Sequence, residues 1–538
     1  MPPSSQRSAI RSWHLPDRTK PAALFSLSDK SGSVELARAL HERGTVIYAT
    51  GGTKKYLQDH GIPAQDVGEM TGFPPLFDGR VKTLHPKVFG AILYDRDNPE
   101  HQAQAEKYAI APITTVAANL YPFEATVAKG GTTHAEAIEQ IDIGGVSLLR
   151  AAAKNFDHVA VLTHPSQYEK FIAALEAGTV PVQMRREFAI SAFERTAEYD
   201  AAIAHYLATE GSVLPSDLPG ALTVTLPLAQ RLRYGTNPQN RAAFYLDRPD
   251  RLPEQLHGKA LSYNNLLDLD ATLRLLSRAP LGATFGSEHE RFVRAAVVKH
   301  TVPCGVAQRS SVGKAVHDSL EADAVSAYGG IVATDTTIDV EAAQSLSKFF
   351  LEIVAAPDFD PAALELLKKK KNLRIMRFVP SLPDELAREL RVRSALGGVL
   401  AEDDNPAAPP EEWHVVSKRQ PSAQEWHDLA LAWDVVRHVK SNGIVIVNGG
   451  TTRGICAGQT NRVSAVVIAA HRAGEGARGA ACASDGFFPF ADGLEAAVAG
   501  GCTAIIAPSG SVRDDEVIAA ADKHGVSLVF SSYRYFLH

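Results

Sequence analysis

The sequence predicts an α/β protein built in two regions, and three observations carry that reading. From Ala22 to about Glu210, short β-branched runs alternate with stretches of helical periodicity, the pattern of βαβ units around a parallel sheet. A proline-containing stretch of little periodicity, Gly211 to Gly220, then breaks the chain and reads as a linker. From residue 221 to His538 the alternation resumes, and at 538 residues the whole exceeds what one hydrophobic core supports. The expected organisation is a tail at 1–21, an α/β domain at 22–210, a linker at 211–220 and a second α/β region at 221–538, large enough for two subdomains.

Taken in order, the first domain opens with a strand at Ala23–Ser28, a helix at Val34–Arg43, a strand at Thr45–Ala49 and a helix at Lys54–His60. Strands at Thr115–Asn119 and Val159–Leu162 continue it. Thr133-His-Ala-Glu136 is a capping-box pattern that opens a helix, and Asp142-Ile-Gly-Gly145 turns the chain into another, Val146–Asn155, with an apolar stripe. In the second region Ala295–Val298, Gly443–Val447, Thr503–Ile506 and Val526–Val529 read as strands. A faint internal echo pairs Ser326–Ile331 and Asp339–Ala343 with Ser484–Phe488 and Asp492–Ala497, as a duplication would. Lys368–Lys371 reads as a solvated helix face, and Glu402–Glu412 as a surface loop without chemistry.

Composition narrows function. A net charge of −6 argues against a general nucleic-acid binder, so local clusters of Lys and Arg point to small anionic ligands. Four cysteines without a C-x-x-C pair indicate neither a disulfide framework nor structural zinc, which fits a reducing, cytoplasmic setting. No apolar run approaches the roughly 20 residues that cross a bilayer, so no membrane partner is expected. The polar stretch Met1–Lys20 lacks the apolar core of a secretory signal.

Two phrases concentrate cations, an imidazole and turn residues: Gly79-Arg-Val-Lys-Thr-Leu-His-Pro86 and Val298-Lys-His-Thr-Val-Pro-Cys-Gly305. A packed core needs no such density, whereas loops that handle anions do, so two sites are expected. Around the first, Ser28, Lys30, Thr50, Gly51, Gly52 and Thr53 lie where strands turn into helices, and backbone N–H groups there bind phosphate. Arg80, Lys82, Thr83 and His85 fall on a proline-flanked loop. Tyr121, Asp142 and Lys154 stand near strand or helix ends, although Lys154 taken singly would merely complement a helix dipole.

In the second region Lys299 and His300 can serve one site only if the pleat breaks beside them, which Pro303 and Gly305 make plausible. Their bland alternative is a capping histidine beside a surface lysine. Arg233 and Tyr234, Asn442, Arg462, Ser484-Asp485 with Phe487 and Phe488, and the C-terminal Arg534–His538 mix amides, cations and aromatics, which suits a flat heterocycle.

With those residues in view, the chain resembles the bifunctional purine-biosynthesis enzymes that couple AICAR formyltransferase to IMP cyclohydrolase. Gly79–Pro86, Ile141–Gly145, Ala151–Asn155, Leu232–Gly235, Lys299-His300, Lys440-Ser-Asn442, Ser484-Asp485 and Phe487–Phe490 match that family's motifs, in order, from about Ala22 to His538. The resemblance implies a methylglyoxal-synthase-like, Rossmann-like cyclohydrolase domain and a transformylase of two cytidine-deaminase-like subdomains. It implies a homodimer acting on AICAR and formyl-AICAR, with the folate 10-formyltetrahydrofolate as one-carbon donor and co-substrate. It places Ser28, Lys30, Thr50, Gly51, Gly52 and Thr53 on the phosphate, with Arg80, Lys82, Thr83, Tyr121, Asp142, Gly144 and Lys154 around the base. The transformylase site falls on Arg233, Tyr234, Lys299, His300, Glu352, Asn442, Arg462, Phe488, Asp492, Arg534, Phe536 and His538.

The chemistry gives those groups tasks. The exocyclic amine of AICAR is a poor nucleophile, so His300 would assist its deprotonation while Lys299 stabilises charge on the formyl oxygen or protonates the leaving nitrogen. Lys82 and Lys154 suit the oxyanion and proton transfers of ring closure, with Tyr121 and Asp142 orienting the carboxamide. The chain departs from the family at Gln239, Phe89, Cys456 and Leu537. A zinc deaminase is the rival enzyme, but it needs a P-C-x-x-C run, and Pro303-Cys304 is followed by Gly305-Val306-Ala307, so no zinc is expected. A nucleotide-binding regulatory protein without turnover is the non-enzymatic rival.

Overall fold

The computed structural model describes residues 20–538 except 75, 78–80, 130, 210–221, 247, 249–250, 278–291 and 409. The linker at 211–220 and residues 1–19 of the tail thus lie outside the described residues. The chain forms two compact units that divide between Thr225 and Leu226.

The first unit is a five-stranded parallel sheet of β1 (Ala22–Ser26), β2 (Val46–Ala49), β3 (Ala64–Asp66), β4 (Ile113–Ala118) and β5 (Ala160–Leu162), in the order β3-β2-β1-β4-β5. Helices cover both faces, so the strands are buried on both sides and read as unbroken apolar runs such as Ala22-Ala-Leu-Phe25. The strand order reverses at β1, which opens a crevice at the carboxyl ends of β1 and β4. The helix read from Lys54 begins earlier, at Gly51. Its first turn is Gly51-Gly52, and glycines carry no periodicity to read. The capping box at Thr133 is present, closed by Glu136, and Lys154 is the last residue of the helix Gly144–Lys154.

The second unit holds one twelve-stranded sheet. A separate hairpin, β6 (Leu228–Leu232) with β7 (Ala242–Tyr245), precedes it. The sheet then takes β8 (Glu254–His257), β9 (Val293–Lys299), β10 (Val302–Arg309), β11 (Ile331–Thr334), β12 (Ile353–Ala356) and β13 (Arg374–Arg377). After a second hairpin, β14 (Arg391–Ala395) with β15 (Gly398–Glu402), it takes β16 (Trp413–Val415), β17 (Ile444–Asn448), β18 (Thr451–Cys456), β19 (Ala481–Ser484), β20 (Ala504–Pro508) and β21 (Ser527–Ser531). The order β16-β21-β20-β19-β17-β18-β10-β9-β11-β12-β13-β8 is one series of six strands written twice, outward from the β10/β18 contact. Helices repeat in the same places: Tyr263–Arg274 matches Ala423–Val436, Val312–Glu321 matches Arg462–Ala473, Val340–Lys348 matches Asp492–Gly500, and Pro361–Lys368 matches Asp514–His524.

The echo read in the sequence is right for its helix half and wrong for its strand half. Asp339 and Asp492 do open equivalent helices, but Ser326–Ile331 leads into β11 whereas Ser484–Phe488 leaves β19. Two other sequence readings need correction. Glu402–Glu412 is a loop at the surface only in part, because Asp404 turns inward to pair with Arg274 and Arg391. Within Lys368–Lys371, Lys370 folds back to donate to the Phe349 carbonyl, and burial lowers its pKa.

The duplication extends to packing. A Cβ on Gly305 of β10 would lie 2.0 Å from the Ser319 carbonyl oxygen, and a Cβ on Gly454 of β18 would lie 2.0 Å from that of Ala469. In both copies the covering helix rests directly on the strand backbone. Gly305→Ala and Gly454→Ala should therefore each lower unfolding free energy by about 1–3 kcal/mol or more through overpacking, measured by denaturant unfolding of the full chain.

Candidate functional sites

In the first unit the turn after β1 is held by Asn119, which follows β4. Its side-chain oxygen accepts from the Ser28 and Asp29 amides at 2.6 and 3.0 Å, while its Nδ2 donates to the Asp29 carbonyl at 2.6 Å. Lys30 Nζ donates to the Ser28 carbonyl at 3.1 Å. Beside this turn, Thr50 precedes the helix that Gly51 opens, and no side chain caps that helix. Its first N–H groups are thus left for an anion. Thr53 differs from expectation: its hydroxyl donates to the Leu27 carbonyl and accepts from the Leu27 amide, both at 3.1 Å. It fastens the end of β1, and only its backbone remains for a ligand.

Lys82, Thr83, Tyr121, Asp142 and Gly144 converge. The Asp142 carboxylate accepts from the Gly145 amide at 2.7 Å. A Cβ on Gly145 would lie 2.5 Å from that carboxylate, and one on Gly144 would lie 2.9 Å from the Thr83 hydroxyl. The two glycines therefore let the helix start approach both side chains. Burial raises the Asp142 pKa, opposed by the Gly145 and Tyr121 amides and by the charge of Lys82. Tyr199, which sequence reasoning missed, is fully buried; its hydroxyl accepts from the Asp142 amide at 2.9 Å and donates to the Gln140 carbonyl at 2.8 Å. It arrives from the long helix Val182–Thr209, and nothing in its local sequence announces the contact.

Arg80 and Gly79 lie outside the described residues. Lys154 is not brought to this cluster. The 11-residue helix it ends places it about 15 Å along the axis from Gly144. There it lines a separate cavity of about 630 Å³ with Phe89, Leu93, Arg150, Ile190 and Phe193.

In the second unit Lys299 ends β9, and His300 and Thr301 alone connect it to β10, with Val302 paired to Lys299. Both turn residues have positive φ, 56° and 60°. The pleat breaks at this turn, ahead of Pro303 and Gly305, where the structure adds only a register shift. Lys299 Nζ donates to the Tyr328 carbonyl at 2.7 Å, and His300 is exposed. Asp268, also missed, accepts from the Thr301 and His300 amides at 2.7 and 3.3 Å. Glu352 stands at the same edge, its amide donating to Gly330 at 3.0 Å and its carboxylate paired with Arg374 at 2.7 Å. Arg233 lies over the Tyr234 ring at 5.5 Å, and their loop is tied down where Asn264 donates to the Thr236 carbonyl at 3.4 Å.

Successive antiparallel pairing from β9 through β10 and β18 to β17 puts the end of β9 and the start of β17 at one edge of the sheet. At that start Arg462 donates to Asn442 at 2.6 Å, to Ser484 at 2.7 Å and to Asp485 at 2.6 Å. Ser441 donates to the other Asp485 oxygen at 2.6 Å. The C-terminal segment docks on this nest, with the Tyr535 amide on the Asp485 carbonyl, the Ser441 amide on the Leu537 carbonyl, and Phe536 beneath Arg534 at 4.4 Å. His538 and Asp492 are exposed. Phe488 is not available to a ligand: it is 2% exposed and packs in the core against Gly493, where a Cβ would lie 2.4 Å from its ring. Among the departures, Gln239 is exposed and Cys456 is buried at the end of β18.

A parallel sheet with anion-ready loops at its switch point and a duplicated mixed sheet with cations gathered on one edge define an α/β enzyme of two units. The chain belongs to the AICARFT/IMPCHase bienzyme family, whose model matches residues 152–472, and an MGS-like domain matches residues 32–147. It is 47% identical to the bifunctional purine biosynthesis protein PurH of Prochlorococcus marinus (strain MIT 9303), covering 96% of this chain and all of that one. PurH of Chloroflexus aurantiacus is also 47% identical, over 96% of this chain and 98% of its own length, and that of Halalkalibacterium halodurans is 45% identical, over 96% and 100%.

Because folding raises the Asp142 pKa, ionising this carboxyl costs the folded state, so the stability it contributes is greatest below the ordinary aspartate value and is lost as pH rises through the raised one. Asp142→Asn, which keeps an oxygen for the Gly145 amide, should raise the thermal midpoint at about pH 7. The gain should shrink as the pH approaches about 4, followed by calorimetry across that range.

Proposed function

We propose that the two activities of this family occupy the two units separately: ring closure at the Lys82–Tyr121–Asp142 cluster, and formyl transfer at the sheet edge carrying Lys299 and His300. As a member of the family the chain is a bifunctional enzyme of purine biosynthesis, which formylates AICAR at the expense of a folate co-substrate and cyclises formyl-AICAR to IMP. The observation that carries the transfer assignment is the hairpin turn, which sets an exposed imidazole one residue from an ammonium on the same edge as the Arg462–Asn442 nest.

In this reading His300 takes the proton of the AICAR amine as it attacks the formyl carbon, and Lys299 stabilises the oxygen of the tetrahedral intermediate; the intermediate then collapses by breaking its bond to the folate nitrogen, which takes up a proton and leaves as tetrahydrofolate. The donor is 10-formyltetrahydrofolate. At the other site Ser28, Lys30 and the amides of Gly51, Gly52 and Thr53 hold the phosphate. Asp142, whose pKa burial raises, orients the carboxamide together with Tyr121, while Lys82 meets the developing charge. Pro303-Cys304 is followed by Gly305, Val306 and Ala307 and not by a second cysteine, which supports a reading without zinc.

The enzyme is proposed to be a cytoplasmic homodimer, with domains at 22–210 and 221–538; no described helix is long and apolar enough to cross a membrane. Exposed Leu93, Ile190 and Phe193 beside Lys154 support a partner surface on the first unit.

Lys299→Ala and His300→Ala should each cut formyl transfer by about 100-fold or more and leave cyclisation of supplied formyl-AICAR intact, while Lys82→Ala should do the reverse. Steady-state assays of each half reaction decide it. Equal loss of both activities in any of these variants would contradict the two-site assignment.

A further inference from the structure

We propose that Asp268 is a positioning residue for formyl transfer, holding the His300–Thr301 turn in a left-handed conformation that those two residues by themselves disfavour. The inference rests on reading Lys299 and His300 as the transfer pair. A two-residue hairpin turn with positive φ at both positions is built most readily from glycine, asparagine or aspartate. Here it carries a histidine and a β-branched threonine, at 56° and 60°. Two hydrogen bonds from the turn amides to one carboxylate offset that cost.

The duplicated half supplies the comparison within the same molecule. The turn between β17 and β18 is Gly449-Gly450, with φ of 60° and 71°. Asp428 accepts from both of its amides, at 2.8 and 2.7 Å. Asp268 and Asp428 stand at the same remove from the serine N-caps of their helices, Ser262 and Ser422. Both copies therefore keep the clamp, but in the second copy glycine accepts the conformation unaided. Only in the first copy does the clamp hold side chains in a disfavoured shape, and that is the copy in which the turn bears an imidazole next to Lys299.

The same helix face serves a second purpose. Asn264, one turn before Asp268, anchors the loop of Arg233 and Tyr234 through Thr236. One helix thereby sets the imidazole and the Arg233 loop in a common frame. Asp268 spends its acceptors on backbone amides, so its loss should appear in kcat for formyl transfer, with KM for AICAR little changed.

The experiment is a steady-state comparison of full-length variants. Asp268→Ala should lower kcat for formyl transfer by about 100-fold, with KM for AICAR within about threefold and cyclisation unaffected. Adding Thr301→Gly should restore a substantial part of kcat, because glycine accepts the turn without the clamp. In a His300→Ala background, Asp268→Ala should cost less than about threefold more. Should Asp268→Ala fail to fold, Asp268→Asn, which keeps one acceptor oxygen, is read in the same assays, with an expected loss of about tenfold.

A folded Asp268 variant with unchanged kcat, while His300→Ala is inactive, would overturn this inference and leave the site assignment standing. Losses that add fully to those of His300→Ala and resist Thr301→Gly would overturn it as well, since they describe a merely structural carboxylate. An active His300→Ala would instead sink the underlying reading.

Discussion

The larger unit depends on a narrow joint. Its two copies meet along β10 and β18, where only Ala307 and Thr451 pair as strand partners, helped by the Gln308 amide on the Gly450 carbonyl and the Val306 amide on the Thr452 hydroxyl. Across that seam a buried ionic group does the fastening. Arg294 of β9 meets Asp434 of the second copy at 2.6 Å, and Arg437 meets the same carboxylate at 2.9 Å. Burial by itself would raise the Asp434 pKa, but Arg437 and Arg294 hold it down to about 2. Removing either partner would strand a charge in the interior, which is far more costly than replacing the group as a whole.

The joint also decides which strand ends share an edge. Because the copies meet antiparallel, the end of β9 in one and the start of β17 in the other share an edge, while the equivalent ends fall on the opposite edge. One duplicated fold thus offers two unlike edges. On one, Lys299 and His300 share the edge with the Arg462 nest; on the other, Arg309 donates to the Gly449 carbonyl at 2.8 Å and closes the seam. The second copy has turned its hairpin into a structural corner of glycines, and the first has put side chains on it.

In the smaller unit the same economy appears in its loops. Asn119 and Thr53 spend hydrogen bonds of their side chains on backbone groups around the end of β1, which fixes the turn at Ser28–Lys30. Gly144 and Gly145 do the converse, giving up side chains so that Thr83 and Asp142 can approach the helix start.

The sequence by itself determined the α/β class, the alternation of strands and helices and the two clusters of cations. Each of these is written in local periodicity or in neighbouring residues. It also carried the capping box at Thr133 and Lys154 at its helix end, since capping chemistry acts within a few positions. What it could not contain were contacts between distant segments. Asp268 and Tyr199 reach their targets from other helices, Phe488 turns into the core although its motif looks like a site, and Lys154 is carried away from Asp142 by the length of one helix. Even the break beside Lys299, though expected there, was read from the wrong residues, because proline and glycine are visible signs of irregular backbone while a histidine in a left-handed turn is not. Tertiary structure decided these matters because a side chain's partner is set by how elements pack, and packing has no local signature in the chain.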